Sequence, residues 1–181
     1  INKFPKMDNI WIHDDTFFID NSRVIEFCDE IIKRKIKIKF TCNGRIKPVS
    51  KEMVEKLEKA NFSRVLFGLE SGDNGILQKC HKGIRQEDVI ATYKLFAKTK
   101  INLFSHLIIG LPGENLKTVK ETAKLIKKLQ KIKYVPNYSA YILTIFPGTE
   151  IYEIAKKANL LKDEFWLTDE ITPFFTVENN Y

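Results

Sequence analysis

The chain has 181 residues, 44% of them hydrophobic and 29% charged, which is a globular composition long enough for one domain with a sizeable core. Its formal net charge of +7 comes from basic residues spread along the sequence, a pattern that favours solvated helix faces over a nucleic-acid patch. The sequence excludes a membrane span, because no apolar stretch approaches the roughly 20 residues that cross a bilayer.

The first half of the chain alternates short β-rich runs with stretches of helical periodicity. Residues 9–14 predict the first strand, and the apolar residues that follow recur every three or four positions, so a helix begins near Asp20. Residues 36–42 alternate apolar and polar side chains and predict the second strand, after which Ser50 can cap a helix. Residues 64–69 predict the third strand, followed by a loop and a third helix.

The second half continues the same alternation. Residues 101–109 predict the fourth strand and residues 138–145 the fifth. The helix between them is expected to turn four residues inward, namely Val119, Ala123, Ile126 and Leu129. A last helix follows the turn at 146–149, and no periodicity continues beyond it. We therefore divide the chain into a barrel-like domain, residues 1–159, and a C-terminal extension, residues 160–181.

Strand followed by helix, about five times, predicts a parallel sheet of the α/β class. Periodicity alone leaves a doubly wound sheet and a barrel both open. Buried parallel strands usually read as continuous apolar runs, yet Lys37, Lys39 and Thr41 alternate with apolar neighbours, as do Asn102 and His106. A polar lumen or an exposed sheet face explains this pattern better than a tightly filled eight-stranded barrel.

The predicted strand ends are polar, and ligands of α/β proteins bind beyond the carboxyl ends of the strands. The five end segments are 13–16, 42–45, 68–72, 110–114 and 146–149. Each has a simpler explanation as well: residues 14–16 are common in turns, Asn115 and Thr149 suit helix caps, and Lys82 suits a solvated surface. A carboxylate at the end of an apolar strand, as at Glu70, needs a partner and favours a site.

Taken in order, these segments resemble the radical S-adenosylmethionine superfamily. The closest resemblance is to the subgroup often preceded by a cobalamin-binding domain, which includes the oxidative cyclases of Mg-protoporphyrin IX monomethyl ester. The matching segments run from Ile10 to Lys156: IWIHDDTFFID, FTCNGRI, VLFGLESGDNGILQKCHKG, LIIGLPGE and FPGTEIYEIAK. The resemblance implies an open, partial (β/α)6 TIM-like barrel, here of about five β/α units, whose lumen takes substrate and cofactor.

The resemblance also implies which residues bind S-adenosylmethionine. The loop Asp14, Asp15 and Thr16 corresponds to the one that contacts the methionyl amine of the cofactor. Glu70 corresponds to the acidic residue expected near the ribose, where a carboxylate accepts hydrogen bonds from hydroxyls.

The other end of the cofactor is expected at basic and apolar positions. Arg45 and Lys82 are candidates for the methionyl carboxylate, which suits the fork of an arginine. Backbone near Ile109 and Gly110 is expected to line the adenine. No catalytic residue is assigned.

One departure from the family concerns cysteine. The family binds a [4Fe–4S] cluster through CxxxCxxC after its first strand, whereas Cys28, Cys42 and Cys80 lie far apart. Because the sequence opens at Ile1, about where that loop should have ended, we interpret the chain as a fragment, inactive alone, of a parent enzyme. The resemblance implies that this parent would hold the [4Fe–4S] cluster and reductively cleave S-adenosylmethionine there to a 5′-deoxyadenosyl radical, with cobalamin as a further possible cofactor. Three cysteines, an odd number without the short spacings of a disulfide framework, favour a reducing cytoplasm.

Two other functions stay open at this point. The barrel can be a cluster-free binding or scaffold domain, or part of a radical enzyme acting on tRNA, although nucleic acid is not the expected partner. Under the first interpretation the substrate is a small molecule selected by lumen side chains such as Lys37, Lys39, His106 and Tyr141. The unpaired edge at residues 9–14 also predicts self-association.

Overall fold

The computed structural model describes residues 6–136 and 138–160, so most of the extension assigned to 160–181 lies outside the described residues. The chain divides into two compact units, Ile1–Ile142 and Leu143–Tyr181. Among the described residues, the first unit holds five strands, five α-helices and a 3-10 turn, and the second holds one α-helix. The elements are β1 (Asn9–Ile12), the 3-10 turn (Phe17–Ile19), α1 (Asn21–Lys33), β2 (Lys39–Gly44), α2 (Lys51–Lys59), β3 (Phe62–Glu70), α3 (Asn74–Lys79), α4 (Gln86–Phe96), β4 (Asn102–Ile109), α5 (Leu116–Ile132), β5 (Tyr138–Ile142) and α6 (Glu150–Lys157).

The five strands form one parallel sheet in the order β1-β2-β3-β4-β5. Right-handed crossovers that always step in the same direction place their helices on one face of the sheet, as in a barrel. A doubly wound sheet would reverse direction and cover both faces. The order therefore decides between the two α/β architectures that periodicity left open, and the α/β prediction with an open sheet is confirmed.

Alternation along β3 and β4 separates the two faces of this sheet. Phe67 of β3 is fully buried, and its ring centroid lies 6.4 Å from that of Tyr93 and 5.9 Å from that of Phe96, both on α4. The core thus lies between the sheet and its helices. The residues that alternate with this buried set define what we call the open face: Thr41, Arg64, Leu66, Gly68, Phe104 and His106.

Helix caps follow the sequence closely. The Asp20 carboxylate accepts a hydrogen bond from Ser22 N at the start of α1, and Ser50 Oγ accepts one from Met53 N at the start of α2. Asn115 caps α5 and Thr149 caps α6 in the same way. Each such cap contributes about 0.5–2 kcal/mol. The three predicted caps, Ser50, Asn115 and Thr149, are confirmed, because the donors of a first helical turn need local acceptors whatever the tertiary fold.

Strand boundaries differ from the predicted ones. The second strand begins at Lys39 and not at residue 36. The turn that ends α1 extends as far as Ile36, because Lys35 has φ 54° and Ile36 N donates to Ile31 O at 3.1 Å. Lys37 is therefore not on the sheet, and its placement among the lumen residues is wrong. The first strand ends at Ile12 and the fifth at Ile142, each earlier than predicted.

The inward face of α5 also differs from the prediction. The buried residues are Thr122, Leu125 and Leu129, whereas Ala123 is exposed. The prediction missed this rotation because it counted apolar side chains alone, and Thr122 is polar yet has hydrogen-bond partners in the core. Within the described residues, no helix has the length and apolar character that a membrane span requires.

Candidate functional site

Glu70 ends β3 in an unusual backbone conformation. The register between β3 and β4 shifts between Gly68 and Glu70, and Glu70 has φ 61°. Ser71 N donates to Leu69 O at 2.8 Å, which closes a three-residue turn with Glu70 at its centre. Turns of this kind are rare and strained for a residue with a side chain, and such strain is concentrated at functional sites.

The carboxylate of Glu70 pairs with Lys82 above Gly68. Lys82 Nζ lies 2.6 Å from Glu70 Oε1, and the two side chains are 33% and 18% exposed. A Cβ at Gly68 would lie 3.0 Å from Lys82 Nζ and would collide with Glu70 Oε1. The ion pair therefore occupies the space of the missing Gly68 side chain, on the open face near the carboxyl ends of the strands.

The loop that follows Glu70 is anchored to α5 by Thr122. Gly72 N donates to Thr122 Oγ1 at 2.8 Å, and Ser71 Oγ lies 3.3 Å from the same oxygen. A Cβ at Gly72 would lie 2.5 Å from the Thr122 Cα, so the loop approaches the helix more closely than any other residue allows. Sequence reasoning missed Ser71 and Thr122 as positioning residues. The available signal was a threonine within an otherwise apolar helical stripe.

The end of β4 lies close to this loop. Gly110, with φ 91°, donates its N–H to Glu114 Oε2 at 2.6 Å, and Ile109 beside it is 40% exposed. The Cys80 thiol is influenced by groups from both loops. Burial raises its pKa most, and the charges of Glu70 and Glu114 raise it further. The predicted ribose and adenine positions, Glu70 and Gly110, therefore belong to one region.

The Asp14 loop is organised locally. Asp14 Oδ1 accepts from Thr16 N at 2.9 Å, and Asp14 Oδ2 lies 2.6 Å from Arg23. The hydrogen bond from Arg23 holds the pKa of the Asp14 carboxyl below its usual range. Within the described residues, the exposed side chains of Asp15 and Arg45 make no hydrogen bond or ion pair. Asp14 thus has a structural partner, and Asp15 keeps an exposed carboxylate.

The open face carries aromatic and imidazole rings below the ion pair. His106 pairs with Gly68 across the sheet, and its ring centroid lies 5.7 Å from that of Tyr141 on β5. Its Nδ1 atom is buried and has no hydrogen-bond partner in the part of the chain that the structure describes. Arg64 stacks over the Phe104 ring at 4.5 Å. His106 and Tyr141, both predicted to line the lumen, do share this face.

The three cysteines do not form a metal centre. Cys28 and Cys42 are fully buried, and burial raises the pKa of the Cys28 thiol to about 12. Cys80, partly exposed, belongs to the Glu70 region. In the ranges 6–136 and 138–160, no group of three or more His, Cys, Asp or Glu side chains is arranged to hold a metal ion.

Comparison with known proteins finds a match to one protein family and to several relatives. The profile of the Radical SAM superfamily matches residues 6–126. An uncharacterized methyltransferase of Pyrococcus horikoshii is 30% identical over 154 residues, 84% of this chain and 32% of that protein. The anaerobic magnesium-protoporphyrin IX monomethyl ester cyclase of Rubrivivax gelatinosus is 26% identical over 125 residues, 64% of this chain and 22% of that protein. The chain thus spans a third or less of the length of these relatives.

Solved structures show the same fold. The radical S-adenosylmethionine methyltransferase TsrM of Kitasatospora setae, with cobalamin and a [4Fe–4S] cluster bound, superposes with a TM-score of 0.73 at 19% identity, covering 83% of this chain and 29% of that one. The cobalamin-dependent radical enzyme OxsB, with aqua-cobalamin and S-adenosylmethionine bound, gives 0.62 at 24% identity, covering 88% and 24%.

Proposed function

The chain belongs to the radical SAM superfamily, and on that premise we propose that it forms the S-adenosylmethionine-binding barrel of an enzyme acting on a small-molecule substrate. The family uses S-adenosylmethionine and a [4Fe–4S] cluster. When bound, that pair supplies hydrogen-abstracting radical chemistry. The residues of this chain would hold and orient the cofactor and line the substrate space.

The ion pair above Gly68 is the observation that carries this proposal. A ribose diol needs a hydrogen-bond acceptor, and the Glu70 carboxylate has two oxygens of which Lys82 contacts one. Lys82 compensates the charge of this partly buried carboxylate at the strand ends. The absent side chain of Gly68 provides the space in which this pair lies.

The remaining candidate residues are proposed to bind the other groups of S-adenosylmethionine. Because Asp14 is already paired with Arg23, we assign the methionyl amine to the exposed Asp15 carboxylate and to Thr16. Arg45, exposed after β2, is assigned to the methionyl carboxylate. Ile109 offers an apolar surface for adenine beside Gly110, whose N–H already binds Glu114.

The cluster ligands are proposed to lie outside these 181 residues. Two of the three cysteines are sealed in the core and the third is far from both in sequence, so they do not fit the three thiolates that a [4Fe–4S] cluster needs. A cobalamin-binding partner domain is proposed on the likeness to TsrM and OxsB. Free thiols favour a reducing compartment, and we propose the cytoplasm.

Calorimetric titration with S-adenosylhomocysteine, which carries the same adenosine, tests the site. Glu70→Gln should raise the dissociation constant about 5- to 150-fold, which corresponds to roughly 1–3 kcal/mol for a lost charged acceptor. Glu55→Gln is the matched control, because Glu55 is an exposed glutamate on α2 that pairs only with Lys51 among the described residues. Equal affinities for the wild-type chain and Glu70→Gln would contradict the assignment.

A further inference from the structure

Basic residues occur along the whole sequence, but α5 has the largest net charge of the described helices. Between Leu116 and Ile132 it has six lysines and one glutamate, a net charge of +5, against +7 for the whole sequence. The other long helices are nearly balanced: α2 has three lysines and three glutamates, and α1 has two basic and three acidic residues. Helix solubility does not require such an imbalance, since α1, α2, α4 and α6 expose polar faces of mixed charge.

The lysines of α5 form a single stripe. At about 100° per residue, all six fall within an arc of roughly 100°, and every residue within that arc is a lysine. From the first to the last the stripe is about 21 Å long at 1.5 Å per residue. It lies opposite the buried residues Thr122, Leu125 and Leu129. The stripe consists of the exposed residues Lys117, Lys120, Lys124, Lys127, Lys128 and Lys131.

The positive charge of this lysine stripe is largely uncompensated. Lys124 lies 2.7 Å from Glu121, and among the described residues the other five lysines make no ion pair. Like charges three and four positions apart destabilise a helix by a few tenths of a kcal/mol per pair. Such an arrangement is disfavoured in the free protein and becomes favourable when an extended anion lies along it.

We propose that the lysine stripe of α5 binds the phosphate backbone of duplex nucleic acid. Lysine ammonium groups act as point charges toward phosphates, and rows of them at intervals of about 5 Å along a rigid helix suit a regular array of phosphates. Single strands need aromatic stacking surfaces, and the arc has none. A membrane surface needs apolar side chains that insert beside the lysines, and the arc has none of these either.

This proposal does not depend on S-adenosylmethionine binding, because the stripe and the Glu70 site use different residues. The test is fluorescence anisotropy of a labelled 20-base-pair RNA duplex, the DNA duplex of the same sequence, and vesicles containing phosphatidylserine. The stripe variant replaces Lys120, Lys127 and Lys128 with Gln, which keeps helix propensity. The control variant replaces three exposed lysines elsewhere, Lys33, Lys51 and Lys59, with Gln and has the same net charge.

The wild-type chain should bind a duplex with an affinity that falls steeply with salt. The stripe variant should bind at least about tenfold more weakly, with the salt slope reduced by roughly three, one for each lysine removed. The control variant should keep most of the affinity and slope. Equal losses in both variants would reduce the effect to net charge and overturn the proposal, as would binding to vesicles without binding to either duplex. Circular dichroism checks that each variant is folded.

Discussion

Lys82 Nζ lies 2.6 Å from Glu70 Oε1, although one residue ends β3 and the other follows α3, and the pair occupies the position of the absent Gly68 side chain. The strained backbone of Glu70, the small Gly68 and the ion pair with Lys82 thus all act on the position of the Glu70 carboxylate. The stability of a single partly exposed ion pair does not explain so much local structure around it, since such pairs contribute about 0–1 kcal/mol. This arrangement supports the proposal that a ligand binds at this carboxylate.

Backbone strain at Glu70 is testable by comparing Glu70→Gly with Glu70→Ala. Both variants lose the ion pair with Lys82, but only glycine adopts φ 61° without cost. We expect the glycine variant to be more stable than the alanine variant by about 1 kcal/mol, measured by urea unfolding. At an ordinary strand position the order is reversed, so an alanine variant of equal or greater stability would show that the turn is unstrained.

The anchor at Thr122 is testable by replacing its hydroxyl. Thr122→Val keeps the shape but leaves the buried Gly72 N–H without its acceptor, so unfolding free energy should fall by about 1–3 kcal/mol. Thr122→Ser retains the acceptor and should lose less. Because the loop positions Glu70, the valine variant should also weaken S-adenosylhomocysteine binding. Identical stability of the valine and wild-type chains would mean that the hydrogen bond contributes nothing.

The three cysteines should differ in reactivity toward a thiol reagent. Cys28 and Cys42 are fully buried and should react only after unfolding, whereas Cys80 is partly exposed and should react in the native state. Mass spectrometry of the labelled peptides distinguishes them. One rapidly modified cysteine per chain is expected, and rapid labelling of Cys28 would contradict its place in the core.

The rate at Cys80 should also report the charge of Glu70. Burial and the charges of Glu70 and Glu114 raise the pKa of the Cys80 thiol, so the thiolate fraction is low at neutral pH and labelling accelerates as pH rises. Glu70→Gln removes a negative charge and leaves Lys82, which lowers the pKa; labelling at a fixed pH near 7 should therefore be faster. An unchanged rate in Glu70→Gln would show that the charge of Glu70 does not act on the Cys80 thiol.

Iron binding provides a fifth prediction. The chain should acquire no stoichiometric [4Fe–4S] cluster on anaerobic reconstitution with iron and sulfide, because its cysteines cannot meet at one cluster without unfolding the core. Iron and sulfide analysis, with the brown absorbance of a cluster, measures this. One full cluster per chain would contradict the placement of the cluster ligands outside these residues.

Local signals in the sequence determined the elements and their order. Helix starts at Asp20, Ser50, Asn115 and Thr149 were predictable because capping is a contact between near neighbours in sequence. The strand and helix alternation likewise predicted the parallel α/β class, and the segments around Glu70 and Gly110 predicted the family that the chain belongs to. The start of β2 was misplaced, because Lys35 gives no composition signal for its left-handed conformation.

Tertiary structure decided how distant residues combine. The sequence assigned Glu70 and Lys82 to different parts of a ligand, and only the bulge at the end of β3 brings them together over Gly68. It also gave no reason to associate Thr122 with Ser71, 51 positions away, since a polar residue is predicted outside the core unless its partner is known. Local patterns depend on residues that are close together in the sequence. The packing of strands and helices determines which distant polar groups become partners, so these pairings are visible only in the folded structure.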